Sequence, residues 1–120
     1  MTAITITIGL GELQLPGELN GTATATQLLE LLPLRLLLED FSGQEKLGRL
    51  PARLSTDGAP ASSGAEPADI GYYAPSQHLV LYYAEVAAFP GIIPVGRFDA
   101  ADLDLVRGLP DGTEAVVDRA

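Results

Sequence analysis

DIGYYAPSQHLVLYYAEVAAFPGIIPVGRF, residues Asp69 to Phe98, is the stretch whose reading decides the fold. Three apolar and aromatic runs, Ile70 to Ala74, Leu79 to Val86 and Ile92 to Phe98, are punctuated by Pro75, Pro90-Gly91 and Pro94. Prolines and glycines at that spacing end one extended segment and turn the chain into the next, so the stretch predicts successive β-strands with short connections. All four tyrosines and two of the three phenylalanines lie within it, which makes one side of the fold aromatic.

Outward from this block, the same strand pattern recurs. Ile4, Ile6 and Ile8 alternate with Thr5 and Thr7, a period of two with one buried face. Gly9-Leu10-Gly11 turns the chain, and Leu13 and Leu15 flank Gln14 in a returning strand, which predicts an N-terminal hairpin. Thr24-Ala25-Thr26-Gln27 has the form of a capping box, and Thr24, Leu28, Leu31 and Leu32 fall on one helical face until Pro33 stops the helix. A helix of about two to three turns is marginal alone, so its leucine face is expected to plug an open end of a barrel. Leu34, Leu36 and Leu38 then alternate along a strand, Ser42-Gly43-Gln44 turns, and Glu45 to Leu50 returns. Ser55 to Ala68 has almost no side chain larger than alanine among its apolar residues and reads as a long exposed loop. After the aromatic block, Asp99 and Asp102 cap a short helix carrying Leu103 and Val106, and Thr113 to Asp118 forms a last strand. Many short strands with two short helices predict a mainly β fold, a closed barrel whose closure removes aggregation-prone edges.

Composition bounds the rest. The 120 residues are expected to form one domain, 1–120, with a hydrophobic fraction of 47% and one core. Mean hydropathy is +0.21. Net charge is −9, from 16 acidic and 7 basic groups. Such a chain repels phosphate backbones and anionic lipid, so neither nucleic acid nor membrane is an expected partner. The absence of cysteine excludes disulfides, thiolate catalysis and Cys-ligated metals. With one histidine as well, no metal site and no cofactor are expected. No secretory leader and no spanning segment are read in the sequence, and a cytoplasmic location is the expectation.

Several elements occur in a fixed order: Leu32-Pro33-Leu34, Glu45-Lys46-x-Gly-x-Leu50-Pro51, Asp69-Ile70-Gly71-Tyr72-Tyr73-x-Pro75, Leu79-x-Leu81-Tyr82-Tyr83 and Val95-Gly96-Arg97. In this order they resemble the small bacterial cyclophilin-like proteins, formerly filed as a domain of unknown function. The resemblance covers roughly Ile4 to Leu109 and implies a closed cyclophilin-like β-barrel with one or two short helices, its core at about 3–109. It implies little about activity. Where many relatives carry a tryptophan and an asparagine after the Tyr-Tyr-x-Pro element, this chain has Ser76, Gln77 and His78. The Phe-His-Arg element of the true cyclophilin prolyl isomerases is missing, so isomerase chemistry is not implied.

The candidate chemistry is correspondingly narrow. Arg97 could aim a donor at a prolyl nitrogen, or simply pair with Asp99 or Asp102 as a rim arginine. His78 is the sole imidazole, at a turn, with no nucleophile placed beside it by a motif. Glu39-Asp40 cannot act as a dyad, because neighbours on a strand face opposite ways. Each tyrosine pair sends one ring inward and one outward, and rings at a barrel mouth open to solvent can line a pocket. The candidate binding residues are therefore Tyr73, Tyr83, Arg97, Gln77 and His78, with no catalytic residue assigned. The expected function is non-catalytic binding of a small molecule or a peptide segment. A weak prolyl isomerase and a self-associating homodimer module are the alternatives.

Overall fold

The structure is a computed structural model and describes residues 3–120. In chain order its strands are β1 (Ile4–Leu10), β2 (Leu13–Leu19), β3 (Leu34–Phe41), β4 (Glu45–Arg49), β5 (Ser62–Ala65), β6 (Asp69–Tyr73), β7 (His78–Tyr82), β8 (Val86–Pro90), β9 (Ile92–Phe98) and β10 (Thr113–Arg119). Two helices, α1 (Ala23–Leu31) and α2 (Leu103–Arg107), interrupt them. Eight strands close a barrel in the order β1-β10-β3-β4-β7-β6-β9-β2, and β5 and β8 form a separate two-stranded sheet. Every neighbouring pair is antiparallel.

The alternation in the sequence explains the barrel directly. Ile6 and Ile8 on β1, Leu34, Leu36 and Leu38 on β3, and Leu79 and Leu81 on β7 all enter one interior cluster, joined by Tyr72, Val95 and Val117. Helix α1 adds Thr24, Ala25 and Leu28 to this buried set, so the expected plug is present. Its cap is Thr22 rather than Thr24: the Thr22 hydroxyl oxygen accepts from the Ala25 N–H at 3.2 Å. Thr24 and Gln27 instead reach across to Ser55, which accepts from Thr24 through its carbonyl and donates its N–H to Gln27. That contact fastens the helix to the segment following β4.

Three expectations need correction. The hairpin between β1 and β2 turns at Gly11, whose φ of 66° suits glycine, while Gly9 is still paired with Gln14. The segment 55–68 is not wholly an exposed loop. It contains β5, pairs with β8 through Ser62–Pro90 and Ser63–Phe89, and buries Ala65 and Ala68. Finally, the core does not stop near residue 109. Strand β10 sits between β1 and β3, and without it the barrel would be open.

Candidate functional site: a cleft outside the barrel wall

Alternation on β6 and β7 sorts the tyrosines as expected, one of each pair to each side. Tyr72 points inside, where its hydroxyl accepts from the Leu54 N–H at 3.2 Å. Tyr83 also joins the interior cluster. Tyr73 and Tyr82 point outward, and Tyr82 forms a second apolar cluster with Ala65, Val80 and Ile92, bordered by Leu47, Tyr73 and Val86. The inward rings Tyr72 and Tyr83 pack within the side chains that fill the barrel interior. A concave site lies on the outside of the wall.

This cleft encloses about 680 Å³ between the outer face of β4, β7 and β6 and the strand β8. Leu47, Tyr82, Val86 and Ile92 line its apolar part, with Phe41 and Phe89 beside them. Both phenylalanines are more than half exposed, at 56% and 53%, an unusual state for such rings. The Phe89 and Tyr73 ring centroids lie 6.3 Å apart in a tilted arrangement. Two glycines make this geometry possible. A Cβ on Gly71 would come within 2.8 Å of the Tyr82 ring, so only glycine lets that ring lie over β6. Gly91, at φ 95°, turns β8 into β9 and leaves room for Pro75 and Tyr73.

The cleft carries polar groups in two places. Ser76 and His78 line it near Tyr73, and the Ser76 hydroxyl and His78 Nδ1 are 2.6 Å apart. Burial first, and then the neighbouring Arg49, hold the His78 pKa below its ordinary value. Gln44 and Glu45 line the other part, and Glu45 is directly opposite Tyr82 in the strand register. Its pKa is raised, chiefly by burial and secondarily by the Asp40 charge. His78 and Tyr82 are four residues apart on one strand, so these polar groups are separated by roughly 13 Å along β7.

A chemistry-bearing cluster of a different kind occupies one barrel end. Lys46 is buried, pairs with Asp40 at 3.2 Å and donates to the Leu109 carbonyl at 2.7 Å. The Tyr83 hydroxyl donates to the same Asp40 carboxylate, and this bond is the main cause holding the Asp40 pKa low. Burial, followed by the Asp40 bond, pushes the Tyr83 pKa up to about 12. Arg107 of α2 lies 5.6 Å from the Tyr83 ring centre. Each polar group here is engaged by another, and together they seat the segment after α2 on the barrel.

The five sequence candidates therefore do not form one site. Tyr73 and His78 line the cleft. Tyr83 faces the interior, on the opposite side of the wall. Gln77 adopts φ 63° in the turn after Pro75 and spends its side-chain amide on the Leu50 carbonyl at 2.7 Å. Arg97 pairs with Asp69 at 3.1 Å, not with Asp99 or Asp102, and also donates to the Pro67 carbonyl. Asp69 and Arg97 lie across from each other at the end of β6 remote from Tyr73, which removes Arg97 from the cleft. Phe41, Glu45, Tyr82, Val86, Phe89 and Ile92 also line the cleft and are not among the sequence candidates. Tyr82 was accessible through register, since it shares a face with His78 and Val80; Phe89 was hidden by an unrecognised strand.

A family model described as the cyclophilin-like family matches residues 8–117. The chain belongs to the cyclophilin-like family. Its barrel is also similar to the solution structure of a hypothetical protein from Archaeoglobus fulgidus, with a TM-score of 0.69 and 16% identity over 98% of this chain and 95% of that one. At that identity the likeness concerns the fold. A search of curated proteins found no match. For this cyclophilin-like barrel the function must accordingly be argued from the cleft.

Proposed function

We propose that this cyclophilin-like barrel is a binding module that takes a small, largely apolar molecule in the outer cleft without covalent chemistry. The observation that carries the reading is the cleft itself: about 680 Å³, walled by aromatic and aliphatic side chains with few polar groups. That size and lining are typical of small-molecule sites. Exposed Phe41 and Phe89 leave apolar surface in water that a ligand would cover. A small molecule is favoured over a peptide because the polar groups sit at discrete places in a bounded cleft.

The isomerase alternative draws no support from the arginines. Among the described residues none lines the cleft, and Arg97 is engaged by Asp69 and the Pro67 carbonyl. The homodimer alternative has only Ile4, Leu13 and Leu37 as large exposed apolar residues outside the cleft, among the described residues and on three different strands.

Fragment binding followed by ligand-observed NMR tests the proposal. Small aromatic fragments should bind, and Phe89→Ala should weaken them about tenfold, as loss of an aromatic anchor does. Because Phe89 is half exposed, the same substitution should change stability by only about 0.5 kcal/mol. Fragment binding that survives both Phe89→Ala and Phe41→Ala unchanged would defeat the proposal.

A further inference from the structure

We propose that the outer cleft selects a small organic cation, an amine or ammonium group on an apolar body, with Glu45 as its counter-charge. The inference rests on the binding reading above and adds the charge of the ligand to it. Glu45 is a half-buried carboxylate that lines the cleft beside Gln44 and among apolar side chains, facing Tyr82 on β7 and Phe41 on β3 in the strand register. None of the four ion pairs among the described residues uses it, and neither does any side-chain hydrogen bond. A carboxylate withdrawn from water without a partner is costly, and an entering cation removes that cost.

The charged neighbours of Glu45 sharpen the choice. Lys46 follows it in sequence but points to the barrel interior and is held by Asp40 and the Leu109 carbonyl. Asp40, in the neighbouring strand, is itself acidic and adds to the negative potential. Arg49 and His78 face each other at the far end of the β4–β7 pair, and Glu39 is opposite Leu47. Strand β8 contributes only Val86, Ala87, Ala88 and Phe89 to the cleft, so no cation reaches Glu45 from that side. Burial raises the Glu45 pKa, as expected of a carboxyl without a counter-charge. The rings of Tyr82 and Phe41 add the electron-rich faces that cations favour. An anionic ligand would meet Glu45, Asp40 and a chain of net charge −9.

Three probes of one size separate the possibilities: 2-phenylethylammonium, 2-phenylethanol and phenylacetate, titrated at pH 7 and low salt into the wild type, Glu45→Gln and Phe89→Ala. The cation should bind at least about tenfold tighter than the alcohol, with the acid weakest, a difference on the scale of one charge-assisted contact. Glu45→Gln should reduce the preference to less than about twofold while leaving the alcohol unchanged. Phe89→Ala should weaken cation and alcohol alike, since it removes only apolar contact. Far-UV circular dichroism of each variant confirms that the barrel is intact. Equal binding of cation and alcohol, or a preference that persists in Glu45→Gln, overturns the inference and leaves the cleft as a neutral apolar site. Failure of all three probes to bind the wild type overturns both.

Discussion

Glu45 and Asp40 lie within one hairpin yet respond to pH in opposite directions. Glu45 has its pKa raised from an ordinary value of 4.5, mainly by burial. A folded state that binds a proton more tightly than the unfolded chain is most stable below that ordinary value and loses stability as pH rises through the folded one. Asp40 has its pKa lowered from 3.8, mainly by the Tyr83 hydroxyl, so its contribution is present above 3.8 and lost as pH falls through the folded value. His78 adds to the acid side, because its lowered pKa makes charging it costly as pH drops below 6.5. Glu45→Gln should therefore raise the Tm above wild type at pH 7 by roughly 2–4 °C, on the scale of a sub-kilocalorie change. The gain should vanish near pH 4, where the wild-type carboxyl is protonated; thermal melts at the two pH values check this. A gain of the same size at both would show that burial of the charge is not its cause. The element that holds Glu45 in the family resemblance gives it no site role, because the signal is a missing partner, and partners are set by folding rather than by neighbours in sequence.

At the scale of elements, the cleft depends on how β6, β7 and β8 approach one another. Gly71 on β6 lies under the ring of Tyr82 from β7, and an added Cβ would meet that ring at 2.8 Å. Gly71→Ala should cost about 1–3 kcal/mol by overpacking. It should also push the ring into the cleft, so aromatic fragments should bind at least about tenfold more weakly in the same variant. Thermal unfolding and fragment titration read the two effects; unaltered affinity would mean that Tyr82 does not shape the site. Strands with regular alternation, such as Ile4 to Ile8 and Leu34 to Leu38, were legible in the sequence because burial on one face writes itself as a period of two. Helix α1 was legible from its leucine spacing and Pro33. Strand β5 was not, because Ser62-Ser63-Gly64-Ala65 carries no large side chain to alternate. Strand β8 is mostly exposed, and its Ala87-Ala88 showed no pattern either. Since β8 walls the cleft, missing it also concealed Phe89.

For the whole molecule, side chains fill the closed barrel, and the proposed cleft lies against the outside of its wall. Strand alternation assigns each tyrosine pair an inward and an outward ring, but the pairs share a wall only through register. Tyr73 meets His78, Tyr82 meets Glu45, and the inward Tyr83 is thereby placed on the other side of the wall and at the other end of β7 from Tyr73. Long-range pairing of this kind cannot be read from local spacing, which is why the architecture was legible while the site was recovered only in part. The polar clusters at the barrel ends serve the fold. Lys46, Asp40 and Tyr83 hold one end, and the Ser55 contacts of Thr24 and Gln27 hold helix α1. Methyl NMR of the isotopically labelled protein, titrated with neutral aromatic fragments, tests most directly whether a filled barrel carries a binding cleft against its outer wall. Shifts concentrated at Leu47, Val86 and Ile92, with Leu36 and Val117 of the interior unmoved, are the predicted result; shifts centred on the interior methyls, or none at any fragment concentration, would contradict it.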